Sequence, residues 1–444
     1  MRALTVLKFG GTSVADAAGL ERATGIVRAH GAPRRVVVVS ALAGMTNALL
    51  SGDRKELDIL FERHEAAARQ LLPPLAASRF GEELARARRD LAALLERLDT
   101  ASPAGRAALC DEVGSWGERL SAPLFAATLT AAGIPAQHVD ARCCIITDEA
   151  HGRATPLFPD TEHATRAALL PLVDAGAVPV LGGYIAATRD GVTTTLGRGG
   201  SDYSAALVGA ALDAREIQIW TDVSGVLTAD PRVVPNARPI PRLSYREAAE
   251  LAYFGARVLH PKTIQPATDR GIPVRICNSR APGDPGTVVR AEGDGRPGTV
   301  KAIAHKTGIT VLQVASTRML GAYGFLRALF EVFDRHRTVV DVVTTSEVSV
   351  SLTLDDTATL PAITEELRAL GEVSVEPHRA IVCVVGEGLR STPGIAARIF
   401  ATVQDINVSV ISQGASRVNL TFVVDEARVQ ETVRRLHAAL FAEP

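Results

Sequence analysis

Leu4-Thr5-Val6-Leu7-Lys8-Phe9-Gly10-Gly11-Thr12-Ser13 is a nearly unbroken apolar run that stops abruptly in two glycines. A strand apolar on both faces belongs at the centre of a parallel sheet covered by helices, not in a half-solvated antiparallel one. Four more runs read the same way: Val36–Val39, Ala177–Leu181, Ile217–Trp220 and Pro273–Cys277. Several end in small or polar residues, at Ser40, Gly182-Gly183 and Thr221-Asp222. Ligands of open α/β sheets bind beyond the carboxyl ends of the strands, so these ends mark a candidate site. Residues 51–120 contain no such run; DRKELDILFERHEAAARQLL (53–72) and EELARARRDLAALLERL (82–98) predict two charged amphipathic helices inserted as an αα unit. SYREAAELAYFGARVLH (244–260) opens with Ser244 and, three residues later, Glu247, the pattern of a capping box.

The 444 residues are 47% apolar and 22% charged, an ordinary globular composition with room for two to four domains. Lys and Arg total 48 against 49 Asp and Glu, for a net charge of -1, which argues against a bulk nucleic-acid partner. Aromatic residues make up 4%, too few for a base-stacking platform. The five cysteines have no CxxC spacing, so neither a disulfide framework nor a metal site is expected. MRALTVLKFGGTS is not a signal peptide, and no run of about 18 uncharged apolar residues occurs. A cytoplasmic protein without a membrane partner is expected.

The Gly- and Pro-rich stretch RAPGDPGTVVRAEGDGRPGTV (280–300) reads as a domain boundary. Two segments of one plan follow. ITVLQV (309–314), a loop, the helix FLRALFEVFDRH (325–336) and VVDVVTTSEVSVSLTLD (339–355) form the first. AIVCVVGEGL (380–389), STPG, the helix IAARIFATVQDI (395–406) and VSVISQGASRVNLTFVVD (408–425) form the second. Strand, loop, helix, hairpin, twice over, is an internal repeat.

Four constellations carry candidate chemistry. In Lys8-Phe9-Gly10-Gly11-Thr12-Ser13 the paired glycines let backbone N–H groups approach phosphate oxygens, with Lys8 in reach of them; a plain strand–helix turn is the other reading. In Gly197-Arg198-Gly199-Gly200-Ser201-Asp202 an arginine on bare backbone suits a carboxylate, and Asp202 is placed to cap the following helix. Thr221-Asp222-Val223-Ser224-Gly225-Val226-Leu227, followed by Asp230-Pro231-Arg232, suits a nucleotide or is a solvated, Asp-capped loop. Within Ser115-Trp116-Gly117-Glu118-Arg119-Leu120-Ser121, Glu118 holds a substrate ammonium or forms a surface pair with Arg119. No P-loop, protein-kinase, G-x-S-x-G or HExxH signature is present.

KFGGTSVAD, SALAGMTN, GERLSA, TTLGRGGSDYSA, WTDVSGVLTADPR and FGARVLHPKT, in this order, resemble an aspartate kinase of the lysine-sensitive, monofunctional kind, over essentially the whole chain. The resemblance implies an α/β amino-acid kinase fold, a central mostly parallel sheet covered by helices, with two C-terminal α+β ACT domains. It places the catalytic domain at 1–295 and the ACT domains at 305–375 and 376–444, with strands exchanged between them and no fused homoserine dehydrogenase. It implies phosphorylation of the β-carboxylate of L-aspartate by ATP, whose Mg²⁺ sits mainly on phosphate oxygens and needs no protein metal site. Lys8 would neutralise the transferring phosphoryl, oriented by Asp202. Gly10, Gly11 and Ser13 would belong to the ATP site, with the backbone at Gly199 and Gly200 helping to cradle the phosphates. Arg198 would clamp the α-carboxylate and Glu118 the ammonium, with Ser40, Thr46, Gly199, Gly200 and Ser201 completing the substrate pocket. Thr221, Asp222, Leu227, Arg232, Arg257 and Val258 would hold the nucleotide. Leu227 stands where close relatives often have Tyr, and Arg257 where Lys is usual, keeping the charge with a different geometry.

Met319, Ala322, Phe325, Leu326, Val340, Asp341, Ser346 and Glu347 resemble the effector site of lysine-sensitive relatives. Ala322 replaces a Ser of some of them, a hydrogen bond worth about 0.5–1.5 kcal/mol. Ser412–Ser416 and Asn419 are expected to form a polar turn serving dimer contacts, and a homodimer or homotetramer through the ACT domains is implied. The alternatives are another amino-acid kinase, acting on acetylglutamate or glutamate, and a non-catalytic ACT amino-acid sensor.

Overall fold

The computed structural model describes residues 4–255, 259–293, 298–321 and 323–442. The chain forms two compact units, and the first lies within Met1–Val226, Pro241–Tyr245 and Val258–Glu292. Its eight-stranded sheet runs Ala136–Val139, Val178–Gly182, Arg34–Val39, Leu4–Phe9, Glu216–Thr221, Val274–Asn278, Thr287–Arg290, Arg242–Ser244. The pairings are parallel except for Val274–Asn278 with Thr287–Arg290. The Leu4–Phe9 strand is buried along its whole length between Arg34–Val39 and Glu216–Thr221, as its apolar run requires. Phe9 packs edge-on against Phe125 and stacks with Trp220, which ties the strand end to its neighbours. A small sheet of Ile146–Thr147, Ile185–Thr188 and Thr193–Thr195 lies beside it in the order of the chain.

The insertion after the second strand is larger than the expected pair of helices. Arg54–Leu71, Pro74–Thr100 and Pro103–Ala131 are three long helices, with Met45–Ser51 ahead of them. Asp53 caps the first by accepting from the amides of Lys55 and Glu56, and Ser102 caps the third at Gly105. The third extends past the insertion, and its residues Val113, Leu120, Leu124 and Phe125 join the same core as Leu7 and Phe9. Leu57, Leu60, Leu84, Leu91 and Leu95 continue that core through the first two.

The second unit holds Leu227–Ile240, Arg246–Arg257 and Gly293–Pro444, so two segments of the expected 1–295 domain fall in it. Ala229, Val233 and Val234 supply the reason for one of them, since they are part of its apolar core. Its six-stranded antiparallel sheet runs Val343–Thr345, Ser349–Leu354, Ala302–Ala315, Glu372–Val385, Asn419–Asp425, Val408–Gln413. The two 14-residue central strands serve two cores. Leu312 and Val314 pack with Leu329, Phe333, Val350 and Leu352, whereas Ile303 packs with Val382, Val384, Ile399 and Phe422. The boundaries 305–375 and 376–444 cut across this sharing: residues 302–306 pair with 381–385, and 311–315 pair with 372–376. Among the described residues no helix is long and apolar enough to cross a membrane.

Candidate active site

At the carboxyl end of the Leu4–Phe9 strand, Lys8 is 8% exposed and its Nζ lies 2.7 Å from Asp202 Oδ1. The approach is charge pairing without hydrogen-bond alignment, so Asp202 Oδ1 keeps an unused lone-pair direction. Asp202 does not cap its helix. The Gly200–Ala211 helix starts after Gly199, in the left-handed region at φ 72°, which leaves Asp202 in the first turn, facing Lys8. Both glycine-rich turns are dictated by close approach: a Cβ at Gly11 would stand 2.8 Å from the Ala41 carbonyl, and Gly197 and Gly199 both have positive φ. The helix N-terminus and the Lys8 ammonium thus converge on one place, a setting for anionic oxygens.

A cleft of about 690 Å³ opens there, lined by Lys8, Gly11, Ser40, Thr46, Glu118, Tyr184 and the Gly197–Asp202 turn among others. It brings together Lys8, Gly11, Ser40, Thr46, Glu118, Arg198, Gly199, Gly200, Ser201 and Asp202 from four separate stretches of chain. Gly10 adjoins it, its amide donating to the Trp220 carbonyl at 3.0 Å, and a Cβ there would lie 3.7 Å from Lys8 Nζ. Ser13 is buried instead, its hydroxyl 3.2 Å from the Trp220 carbonyl and 2.8 Å from Ser279 Oγ, so it ties strand ends together and does not line the cleft.

Glu118 is a further ionisable group of the cleft, and the surface-pair reading of it fails. Arg119 pairs with Glu112 and stacks on Trp116, while Glu118 is only 2% exposed. Small residues bring it in: a Cβ at Gly117 would lie 2.6 Å from Ala41 Cβ, and one at Gly182 would lie 2.8 Å from Glu118 Cβ. Burial pushes the Glu118 carboxyl up to about 8, opposed by hydrogen bonding to the Ala41 backbone and by the charge of Lys8. Its Oε2 has no hydrogen-bond partner among the described residues. A buried carboxyl with one oxygen unpartnered, facing a cleft, is a receptor for a cation. Arg198, exposed on the rim between two left-handed glycines, has its guanidinium free for an anion among the described residues.

The remaining expected residues lie elsewhere. Thr221 ends the adjoining strand and Asp222 follows it, Thr221 Oγ1 donating to Asp222 Oδ1 at 3.2 Å, outside the cleft lining. Leu227 and Arg232 belong to the second unit, where exposed Arg232 is held against Asp230 at 2.6 Å. Arg257, Val258 and Ala322 lie outside the described residues.

In the second unit, Met319, Phe325 and Val340 pack partly against the first of its cores, while Leu326, Ser346 and Glu347 are exposed. Asp341 is 3% exposed in its side chain and already occupied. Lys306 Nζ donates to it at 3.1 Å, and the Tyr253 hydroxyl donates at 2.5 Å. Lys306 also reaches Asp355 at 2.8 Å. Burial works against the Lys306 charge, but the two carboxylates outweigh it and hold its pKa above the ordinary value. Asn419 was expected in a turn reserved for dimer contacts; it begins a strand, is nearly buried, and donates to Glu250 at 2.7 Å.

Sequence reasoning missed Tyr184, which lines the cleft in the left-handed region at φ 65°, and the pair Lys306 and Tyr253. It also missed Asp111, whose one local signal is its place two helical turns before Glu118 on the same face.

The chain matches the model of the amino acid kinase family over residues 3–278 and that of the ACT domain over residues 382–440. It is 39% identical to the lysine-sensitive aspartokinase 3 of Escherichia coli, over 99% of this chain and all of that protein. It is 38% identical to the chloroplastic aspartokinase 3 of Arabidopsis thaliana, over 98% of this chain and 81% of that one. Among solved structures it superposes on E. coli aspartokinase III in complex with aspartate and ADP, in the R-state, with a TM-score of 0.85, and on the lysine and aspartate complex, in the T-state, with 0.83. Both share 38% identity and cover 99% of this chain and all of the other. With its α/β catalytic fold, its regulatory sheet and this full-length likeness, the chain belongs to the aspartokinase family.

Proposed function

We propose that the chain transfers the γ-phosphoryl group of ATP to the β-carboxylate of L-aspartate, giving 4-phospho-L-aspartate on the way to lysine, threonine and methionine. The observation that carries this is the Lys8–Asp202 pair between two glycine-rich turns, with Glu118 and Arg198 in the same cleft. Acceptor and donor are both anions, so positioning and charge neutralisation account for most of the rate, and the substrate carboxylate itself is the nucleophile. Lys8 neutralises the transferring group, and Asp202 aims its ammonium. Gly10, Gly11, Gly199 and Gly200 cradle the phosphates; the amides of Gly10 and Gly200 are spent on the Trp220 and Gly197 carbonyls, so these two act by leaving room. Arg198 takes the α-carboxylate of aspartate as a fork, and ionised Glu118 takes its ammonium. Ser40, Thr46 and Ser201 supply hydroxyls. Thr221, Asp222, Leu227, Arg232, Arg257 and Val258 hold the nucleotide, which enters with Mg²⁺ on its phosphate oxygens.

L-lysine acts as the effector at Met319, Ala322, Phe325, Leu326, Val340, Asp341, Ser346 and Glu347; the E. coli relative solved with lysine supports this reading. The enzyme works as a cytoplasmic homodimer or homotetramer joined through its ACT regions. The deciding assay is ATP turnover with L-aspartate, the acyl phosphate trapped as its hydroxamate, beside arms with glutamate and N-acetylglutamate. A folded protein giving signal with aspartate alone supports the proposal; signal only with another acceptor, or none, overturns it.

A further inference from the structure

Among the described residues Arg198 has no side-chain partner that aims it, so its direction is set by the backbone of its turn. That turn is fastened from two sides to one buried carboxylate outside the cleft, Asp111 of the Pro103–Ala131 helix. The Thr195 hydroxyl donates to Asp111 Oδ1 at 2.5 Å, two residues before Gly197. The Gly152 amide donates to both oxygens, at 3.0 and 2.9 Å, and His151 Nδ1 lies 2.8 Å from Oδ2. Gly152 is itself seated under the Arg198 turn: a Cβ at Gly197 would meet the Gly152 carbonyl at 3.1 Å. The loop around Gly152 is closed on itself, with Asp148 Oδ1 accepting from Ala150 and Thr155 and the Ala154 amide donating to the Thr195 carbonyl. Both flanks of the arginine turn therefore hang on Asp111.

We infer that Asp111 is a positioning residue for aspartate recognition, holding Gly152 and Thr195 so that Arg198 meets the α-carboxylate; this rests on the role proposed above for Arg198. A carboxylate is called for because the Thr195 hydroxyl and the Gly152 amide both present a proton to it, and Gly152 does so to both oxygens. Replacing it with an amide places an NH₂ group against the Gly152 N–H whichever way it is turned, since that N–H addresses both oxygens. A buried donor facing a donor forces the loop away.

The test is the Asp111→Asn enzyme, with initial rates measured in each substrate at saturation of the other. The expected result is a rise in KM for aspartate of about tenfold or more, with KM for ATP and kcat within about threefold. Arg198→Ala should raise the aspartate KM at least as far, and Asp111→Asn made in the Arg198→Ala background should add little to it. Thr195→Val, which removes one donor and keeps the amide bonds, should raise the aspartate KM by a smaller factor, and Thr195→Ser should restore it. A lowered melting temperature with an unchanged aspartate KM in Asp111→Asn overturns the inference. So does a wild-type aspartate KM in Thr195→Val, which remains informative if the first variant does not fold. A wild-type enzyme that does not phosphorylate aspartate is a different failure: it removes the function proposed above, and the role of Asp111 with it, before any variant is made.

Discussion

Glu118→Gln offers the sharpest check on the electrostatics of the cleft. The amide has nearly the shape of the protonated acid but cannot ionise. In the native chain the carboxyl is pushed from 4.5 to about 8 by burial. Between those values the native chain holds a proton that the unfolded chain has released, so wild-type stability falls as pH rises. The slope is about 1.4 kcal/mol per pH unit, and the whole window amounts to about 5 kcal/mol. This contribution is complete below the unfolded value and gone above about pH 8. Glu118→Gln has no such dependence, so the two proteins should match in stability near pH 4.5 and diverge steadily, with the variant the more stable at about pH 9. Urea unfolding across that range without ligands measures the difference. Aspartate should reverse the ranking, because its ammonium needs the ionised form. At about pH 7 only about one empty cleft in ten carries that charge, so the wild-type KM for aspartate should fall about tenfold per pH unit up to about pH 8 and then level off. A stability difference between the two proteins that does not change with pH would refute the reasoning, since the buried carboxyl would then titrate like a free one.

Lys8→Ala should lower kcat by about a thousandfold with the fold retained, seen by near-ultraviolet circular dichroism; a near wild-type rate would remove Lys8 from the chemistry. Gly183→Ala should destabilise by about 2–4 kcal/mol and impair turnover, because its Cβ would stand 2.6 Å from Ser201 Cβ; an unchanged urea midpoint would contradict this. Lys306→Met frees Asp341 from an ammonium already bound to it, and the concentration of lysine giving half inhibition should fall about fivefold. Titration of activity with lysine measures this, and an unchanged or higher value would show that Lys306 does not compete with the effector.

The strand ends were legible in the sequence because their signals are local: an apolar run, a glycine pair, a polar residue after it. Lys8, Gly11, Arg198 and Asp202 needed only that grammar to be singled out, and the fold class followed from the same runs. Long-range geometry was not legible. Whether Glu118 faced a cleft or paired with Arg119 depended on Gly117 fitting against Ala41, and no spacing records that contact. Asp111 was invisible because its partners are 40 and 84 residues away. Ser13 looked like a phosphate ligand beside two glycines, but its hydroxyl crosses to Ser279, 266 residues on. Asp202 followed the local capping pattern, and the charge of Lys8 gave it another partner. The segments around Ala229–Val234 and Tyr253 read as part of the 1–295 catalytic domain; their apolar and hydroxyl partners lie in the second unit.

The sharing of the strands Ala302–Ala315 and Glu372–Val385 by two cores bears on how the regulatory unit is made during synthesis. The first core lacks a strand until residues 372–376 have emerged, and the second cannot start until residues 381–385 reach strand 302–306, made far earlier. Neither half can therefore mature alone on the ribosome: the first waits for the strand at 372–376, and the second for residues as late as Leu436. Evolution inherits the same restriction. Exchanging one repeat for a homologous one would splice through both cores at once, so new effector preferences should arise here by point substitution, not by swapping modules.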